Sequence, residues 1–275
     1  MALNVNVPFE IQNLTDIHIT ASKGIYVRFT DGRLKQITKQ ALFPEELFMH
    51  DSKRVAWVVG LDCKKKARTT KSDENIFIRL LPPKPLPVAE TAGVFIVTEI
   101  ETPQPGLFLV SGTVGSGKST VLASALQHYI NTFPIHVVTI EDPIEYELLP
   151  GAGHATQHET EDFAGAVRRS LREDPDMILI GEIRDKPTAD AALLAAETGH
   201  TVFATIHGDG VVGALERLLG IFYGDEYAAF RISQAYLGGM HMDKSAGKRI
   251  AKETLMANTA VRTYIRERKL HQLHV

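Results

Sequence analysis

Cysteine is almost missing from this chain: Cys63 is the only one in 275 residues. One thiol closes no internal disulfide and supplies no cysteine-rich zinc site, which excludes a disulfide scaffold and fits a reducing compartment. Long apolar runs are missing too. No uninterrupted stretch approaches the ~20 residues a membrane-spanning helix needs, and residues 1–10 lack the basic region and apolar core of a signal peptide. A cytoplasmic protein is expected, with any membrane association going through partners. An excess of one charge sign is lacking as well: 30 Lys and Arg stand against 33 Asp and Glu, a net charge of −3. No overall basic field recruits nucleic acid or anionic lipid, so no direct nucleic-acid binding is expected.

What is present is ordinary globular composition, 44% apolar and 23% charged, in a chain long enough for one large or two ordinary domains. Proline is concentrated in Pro82-Pro83-Lys84-Pro85-Leu86-Pro87, where missing amide donors and fixed φ angles favour an extended, semi-rigid linker. The expected organisation is a small domain over residues 1–81, a linker over 82–92 and a larger domain over 93–275. In the first, Ile25, Val27 and Phe29 alternate with polar positions, Asp31-Gly32 offers a turn, and residues 34–37 return, which reads as a hairpin. Residues 55–59 and 76–81 read as further strands, Pro44-Glu45-Glu46-Leu47 as a helix start, and Lys64-Lys65-Lys66 as the decoration of a solvated hairpin.

After the linker, apolar strand-like runs at 107–110, 136–140, 177–180 and 201–206 alternate with helical patterns at 118–130, 163–171 and 187–197. Such alternation predicts a parallel sheet covered by helices, an α/β domain. From Gly213 onward the pattern reads as chiefly helical.

Between the first of these strands and its helix stands Gly112-Thr113-Val114-Gly115-Ser116-Gly117-Lys118-Ser119-Thr120. This is G-x-x-x-x-G-K-S in its required setting: glycines let the backbone curl so that its N–H groups bind phosphate oxygens at a helix N-terminus. Lys118 would reach the β- and γ-phosphates of ATP, and the Ser119 hydroxyl would coordinate Mg²⁺. Hydrolysis also needs a carboxylate near the γ-phosphate. Glu141-Asp142 and Glu182 stand at the ends of two strands, where an open parallel sheet places its ligands. Gly181 occupies the place where an aspartate commonly holds Mg²⁺, which leaves Glu182 to activate water and Glu141 and Asp142 to contact the Mg²⁺ shell or orient water. Helix capping or pairing with Arg184 is the plainer reading of these acids. His207 closes another strand, where it would either sense the γ-phosphate or serve as an ordinary packed histidine.

Four motifs in order resemble those of the type II/IV secretion and pilus motor ATPases, most closely the PilT-like retraction ATPases and the related conjugation and type IV secretion (DotB-like) ATPases. The phosphate loop is the first. Thr139-Ile140-Glu141-Asp142-Pro143-Ile144-Glu145-Tyr146 is similar to that family's Asp box. Gly181-Glu182-Ile183-Arg184-Asp185, with the preceding Leu171-Arg172-Glu173-Asp174-Pro175-Asp176, resembles its Walker B region, and the stretch from Glu197-Thr198-Gly199-His200 to Ala204-Thr205-Ile206-His207 its His box. Ala260-Val261-Arg262-Thr263-Tyr264-Ile265-Arg266-Glu267 is similar to a later PilT segment, and Asp16-Ile17-His18-Ile19 to a strand of the family's first domain.

The resemblance implies a homo-hexamer in which an N-terminal PAS-like α+β domain precedes a RecA-like P-loop ATPase domain, with ATP bound between them. It implies Glu182 as catalytic glutamate, Glu141 as the Asp-box acid, His207 as the His-box residue at the nucleotide, and inner-membrane platform or secretion-channel proteins as partners. Arg28, Arg68 and Arg79 fall near positions where the family keeps arginines that act on a neighbouring subunit. The family's assembly branch carries a tetracysteine motif that this chain lacks, which points to PilT-like or conjugation and secretion motors. The stretch 231–248 reads as shortened, and the chain stops soon after the Ala260 segment. A RecA-like nucleic-acid motor and a nucleotide-binding, non-hydrolysing scaffold subunit are the alternatives.

Overall fold

A computed structural model describes residues 3–6, 14–20, 24–29, 33–37, 55–59, 64–72, 75–80, 84–245 and 248–274. The chain divides into two compact units, residues 1–83 and 84–275. The expected helix start at Pro44 to Leu47, the Asp31-Gly32 turn, Cys63 and Pro82-Pro83 lie outside the described residues, as do the side chains of Lys64, Lys65, Lys66, Arg68 and Arg79.

The first unit holds β1 (Leu3–Asn6), β2 (Leu14–Thr20), β3 (Gly24–Phe29), β4 (Leu34–Ile37), β5 (Val55–Val59), β6 (Lys64–Ser72) and β7 (Asn75–Leu80). They form one sheet in the order β1-β5-β6-β7-β2-β3-β4, antiparallel except for the β1/β5 pair. Alternation on β2 buries Ile17 and Ile19 while His18 turns to the other face, where its ring meets Phe77 edge-on at 5.3 Å.

The second unit begins with a 3-10 turn at Val88–Glu90 that packs on α2 (Lys118–Thr132). Thr91 Oγ1 lies 2.6 Å from Ser124 Oγ on that helix. The remaining elements are α1 (Gly93–Glu99), β8 (Gly106–Gly112), β9 (His136–Glu141), β10 (His154–Glu159), α3 (Phe163–Ser170), β11 (Met177–Ile180), α4 (Lys186–Glu197), β12 (Thr201–Thr205), α5 (Gly210–Ile221), α6 (Ala228–Ala235), β13 (Tyr236–Ser245), β14 (Lys248–Met256) and α7 (Thr259–Arg266). The sheet order is β10-β9-β11-β12-β8-β13-β14, parallel throughout except for the antiparallel β13/β14 pair.

Period-two alternation divides the core between the two faces. Leu107 and Leu109, Ile178 and Ile180, and Val202 and Ala204 pack against α3 to α7, whereas Phe108 and Val110, Met177 and Leu179, and Phe203 pack against α1 and α2. Helix starts follow their caps. The Asp185 carboxylate accepts from Thr188 N at 2.9 Å ahead of Pro187 in the first turn of α4, and Asn258 Oδ1 accepts from Val261 N at 2.9 Å to start α7.

One expectation is overturned. The tract after Gly213 is not chiefly helical: residues 236–245 and 248–256 form the antiparallel β13/β14 pair, and β13 lies in parallel beside β8. Tyr236, Leu237, Met240, His241 and Met242 are all buried, so this strand shows no alternation to read.

Candidate nucleotide-binding and hydrolysis site

Register gathers the chemistry. Ile140 pairs with Ile180, Ile180 with Ala204, and Ala204 with Leu109, making one row across four parallel strands. Glu141, Glu182, His207 and Gly112 lie one to three residues beyond that row, along the same carboxyl edge. Backbone bonds tie the edge together: Gly181 N donates to Ile140 O at 2.8 Å, Ile183 N to Thr205 O at 2.8 Å, and Ile206 N to Val110 O at 3.1 Å.

The loop over residues 112–119 curls from β8 into α2 with Gly112 at φ 140° and Gly117 at φ 101°, conformations that glycine adopts without strain. Space is equally decisive. A Cβ on Gly112 would stand 2.3 Å from Met242 O, and one on Gly117 2.7 Å from Arg249 Cδ, so β13 and β14 pack directly on the loop. Ser116 Oγ lies buried inside the curl without a hydrogen-bond partner. Lys118 Nζ donates to Gly112 O at 2.8 Å and Thr113 O at 3.0 Å. Burial pushes its pKa down, opposed by the charges of Glu182 and Glu145.

Glu182 is held from two sides. Arg184 Nε donates to its Oε2 at 2.6 Å, and His207 Nε2 stands 3.0 Å from its Oε1. The carboxylate is largely covered, whereas His207 is nearly half exposed. The Arg184 pairing considered from the sequence is therefore present, in addition to the contact with His207.

Glu141 sits deeper. Thr139 Oγ1 donates to its Oε1 at 2.8 Å and Gln157 Nε2 at 3.4 Å. Burial outweighs these bonds and raises its pKa to about 7. Ser119, Glu141, Tyr146, Gln157, Gly181 and Thr205 share one small cleft. Gly181 is tightly enclosed: a Cβ there would lie 3.2 Å from both Ile140 O and the Phe163 ring, so a side chain needs these neighbours to give by a few tenths of an ångström.

Sequence reasoning missed Gln157 and the role of Tyr146. Gln157 Nε2 also donates to Tyr146 O at 2.9 Å while its Oε1 accepts from Leu148 N at 2.9 Å, bracing the segment after Glu141. Thr120 Oγ1 lies 2.7 Å from Tyr146 OH, fastening that segment to the first turn of α2. The only signal for Gln157 was a polar edge strand, His154-Ala155-Thr156-Gln157-His158-Glu159, which carries little apolar periodicity.

A phosphate loop rising from a strand inside a parallel sheet, faced by carboxylates at the ends of β9 and β11, defines a RecA-like P-loop ATPase. Within that class, the chain belongs to the type II/IV secretion system protein family, whose model matches residues 72–238. It is 38% identical to a twitching motility protein of Neisseria gonorrhoeae over 71% of this chain and 55% of that one. It is 32% identical to the type IV pilus retractation ATPase PilT of Pseudomonas aeruginosa over 96% of this chain and 84% of that one. Among solved structures it resembles the pilus retraction motor PilT with bound ADP (TM-score 0.79, 32% identity, covering 94% of this chain and 84% of that one). The Legionella pneumophila ATPase DotB is similar at TM-score 0.72 and 26% identity, with the same coverage.

Proposed function

We propose that this chain is a Mg-ATP-hydrolysing motor that works as a homo-hexamer and drives a type IV pilus, in a retraction-like role, or a type IV secretion or conjugation machine. The likeness to a named pilus retraction motor and to DotB supports the kind of machine. The contact of Glu182 Oε1 with His207 Nε2 at 3.0 Å, beside the Lys118 loop, carries the hydrolytic reading. In this reading residues 1–81 form a PAS-like domain, 82–92 a linker and 93–275 the ATPase domain. The motor works at the cytoplasmic face, on inner-membrane platform or secretion-channel proteins.

The loop N–H groups and Lys118 bind the phosphates, which requires the ammonium to exchange Gly112 O and Thr113 O for phosphate oxygens. Glu182 takes the proton of the attacking water at its carboxylate, and His207 orients that carboxylate and faces the γ-phosphate. Mg²⁺ fits the oxygen donors present. The Ser119 hydroxyl and the Glu141 carboxylate line one cleft, and Mg²⁺ characteristically takes few protein ligands beside phosphates and water. When bound it would neutralise charge on the β- and γ-phosphates.

Phosphate release and binding of a fluorescent ATP analogue by the full chain test this reading. Lys118→Ala should lose binding, while Glu182→Gln should bind normally and lose turnover by at least about a hundredfold. Wild-type turnover in both variants would overturn the site, and normal binding with no turnover in the wild type would favour the scaffold reading.

A further inference from the structure

His241 is a buried histidine, 5% exposed, that no step of the proposed hydrolysis uses. It lies on β13 opposite Ser111, the residue directly before the phosphate loop. Gly210 N donates to His241 Nδ1 at 3.2 Å, so Nδ1 presents its lone pair to that amide. Ser111 Oγ stands 2.9 Å from the same nitrogen and 3.1 Å from Gly210 O, and its one proton serves one of these two acceptors. Side chains on β8 and β13 thus bracket both backbone groups of Gly210.

The next amide is fastened by the other strand of the hairpin. Val211 N donates to Glu253 Oε2 at 2.9 Å, and Glu253 is the register partner of His241. Gly210 adopts φ 79°, and a Cβ there would stand 2.5 Å from Glu253 Oε2, so a larger residue would be strained and would displace that carboxylate. Two consecutive N–H groups at the start of α5 therefore meet an imidazole acceptor and a carboxylate projected side by side. A helix N-terminus ordinarily leaves such groups to a cap or to water; Asp209, at the cap position, makes no side-chain cap bond.

This fastening matters because of what lies just before it. Only Gly208 and Asp209 separate Gly210 from His207, and Ile206 on the other side is tied to Val110. His207 is suspended between two fixed points. Ser111, His241, Gly210, His207 and Glu182 follow one another from the base of the phosphate loop to the hydrolytic carboxylate.

We propose that His241 and Glu253 are positioning residues for hydrolysis: by holding Gly210 and Val211 they set where His207 stands against Glu182. The proposal rests on the reading of Glu182 and His207 given above. A role confined to holding the fold would change stability alone, whereas this one places the effect on turnover and makes it depend on His207.

The test is a kinetic double-mutant cycle on the full chain, with Mg-ATP as substrate. His241→Leu should lower kcat about tenfold or more while KM stays within about twofold, and His241→Asn, which restores an acceptor near the Nδ1 position, should recover most of the loss. In a His207→Ala background, His241→Leu should lower kcat by no more than about a further twofold, because both changes break the same arrangement. Independent, multiplicative losses, or an unchanged kcat in His241→Leu, would overturn the proposal. Should His241→Leu fail to fold, Glu253→Ala, which releases only the Val211 amide, takes its place in the cycle with the same outcomes. Glu182→Gln separates the two readings. If it keeps turnover, the site assignment fails; if it loses turnover while His241→Leu does not, only the positioning proposal fails.

Discussion

His207 Nε2 and Glu182 Oε1 stand 3.0 Å apart, joining the end of β12 to the end of β11 in front of the phosphate loop. The other carboxylate oxygen is taken by Arg184, so the orientation of Glu182 is set by two cationic or polar neighbours from separate segments. Removing one leaves the other to pull the carboxylate aside.

His207→Ala should therefore lower kcat about ten- to hundredfold and move KM for ATP by less than about threefold, since the residue sits with Glu182, the proposed hydrolytic acid, and not in the phosphate curl. Steady-state phosphate release checks this. A loss expressed wholly in KM would place His207 in binding instead.

Glu141 gives the fold a pH dependence of definite sign. Its carboxyl has a pKa near 7 when folded against an ordinary 4.5, so between these values the folded chain holds a proton that the unfolded chain has released. The stability it contributes is complete below pH 4.5 and lost as pH rises through 7. Glu141→Gln should be close to neutral for stability at pH 4.5 and stabilising by on the order of 3 kcal/mol at pH 8, while lowering turnover. Denaturant titrations at the two pH values, without nucleotide, check the sign.

Arg231 ties α6 to α4. Its guanidinium bonds both oxygens of Glu197, at 2.8 and 3.0 Å, and Asp190 Oδ1 at 2.8 Å. Arg231→Ala should cost about 1–2 kcal/mol, kept modest because the partner carboxylates are about a third exposed. Arg231→Lys should recover less than half, because an ammonium cannot reproduce the planar fork. Urea denaturation distinguishes the three chains.

Arg262 closes the end of α6. Its Nη1 donates to Ser233 O at 2.6 Å and also to Gln234 O, two carbonyls of the last helical turn. Arg262→Ala should lower stability by about 1–2 kcal/mol, read as a fall in Tm of several degrees. Since α6 runs directly into β13, the same variant should speed amide exchange at Gly210 and Val211.

The strands and helices that frame the site were largely readable in the sequence. Leu107 to Val110, Met177 to Ile180 and the cap at Asp185 carry strong local signals, and the phosphate loop has a spacing with a physical reason behind it. The tract at 236–256 was not readable. Burial on both faces of β13 removes the alternation that betrays a strand, and Gly238-Gly239 suits neither pattern. Glu182 and His207 were placed at strand ends from the sequence, but their contact depends on the register of β11 and β12, which no local pattern encodes. Gln157 escaped because an edge strand that is half exposed along its length has no apolar stripe.

Gly181 narrows one route of descent for this site. With the Ile140 carbonyl and the Phe163 ring already against the position, an aspartate there requires both neighbours to shift. A lineage or a designer wanting that second acid is helped by a smaller residue at Phe163. Any gain in the hydrolytic centre is therefore reached more readily through neighbours such as Glu141 than through the residue beside Glu182.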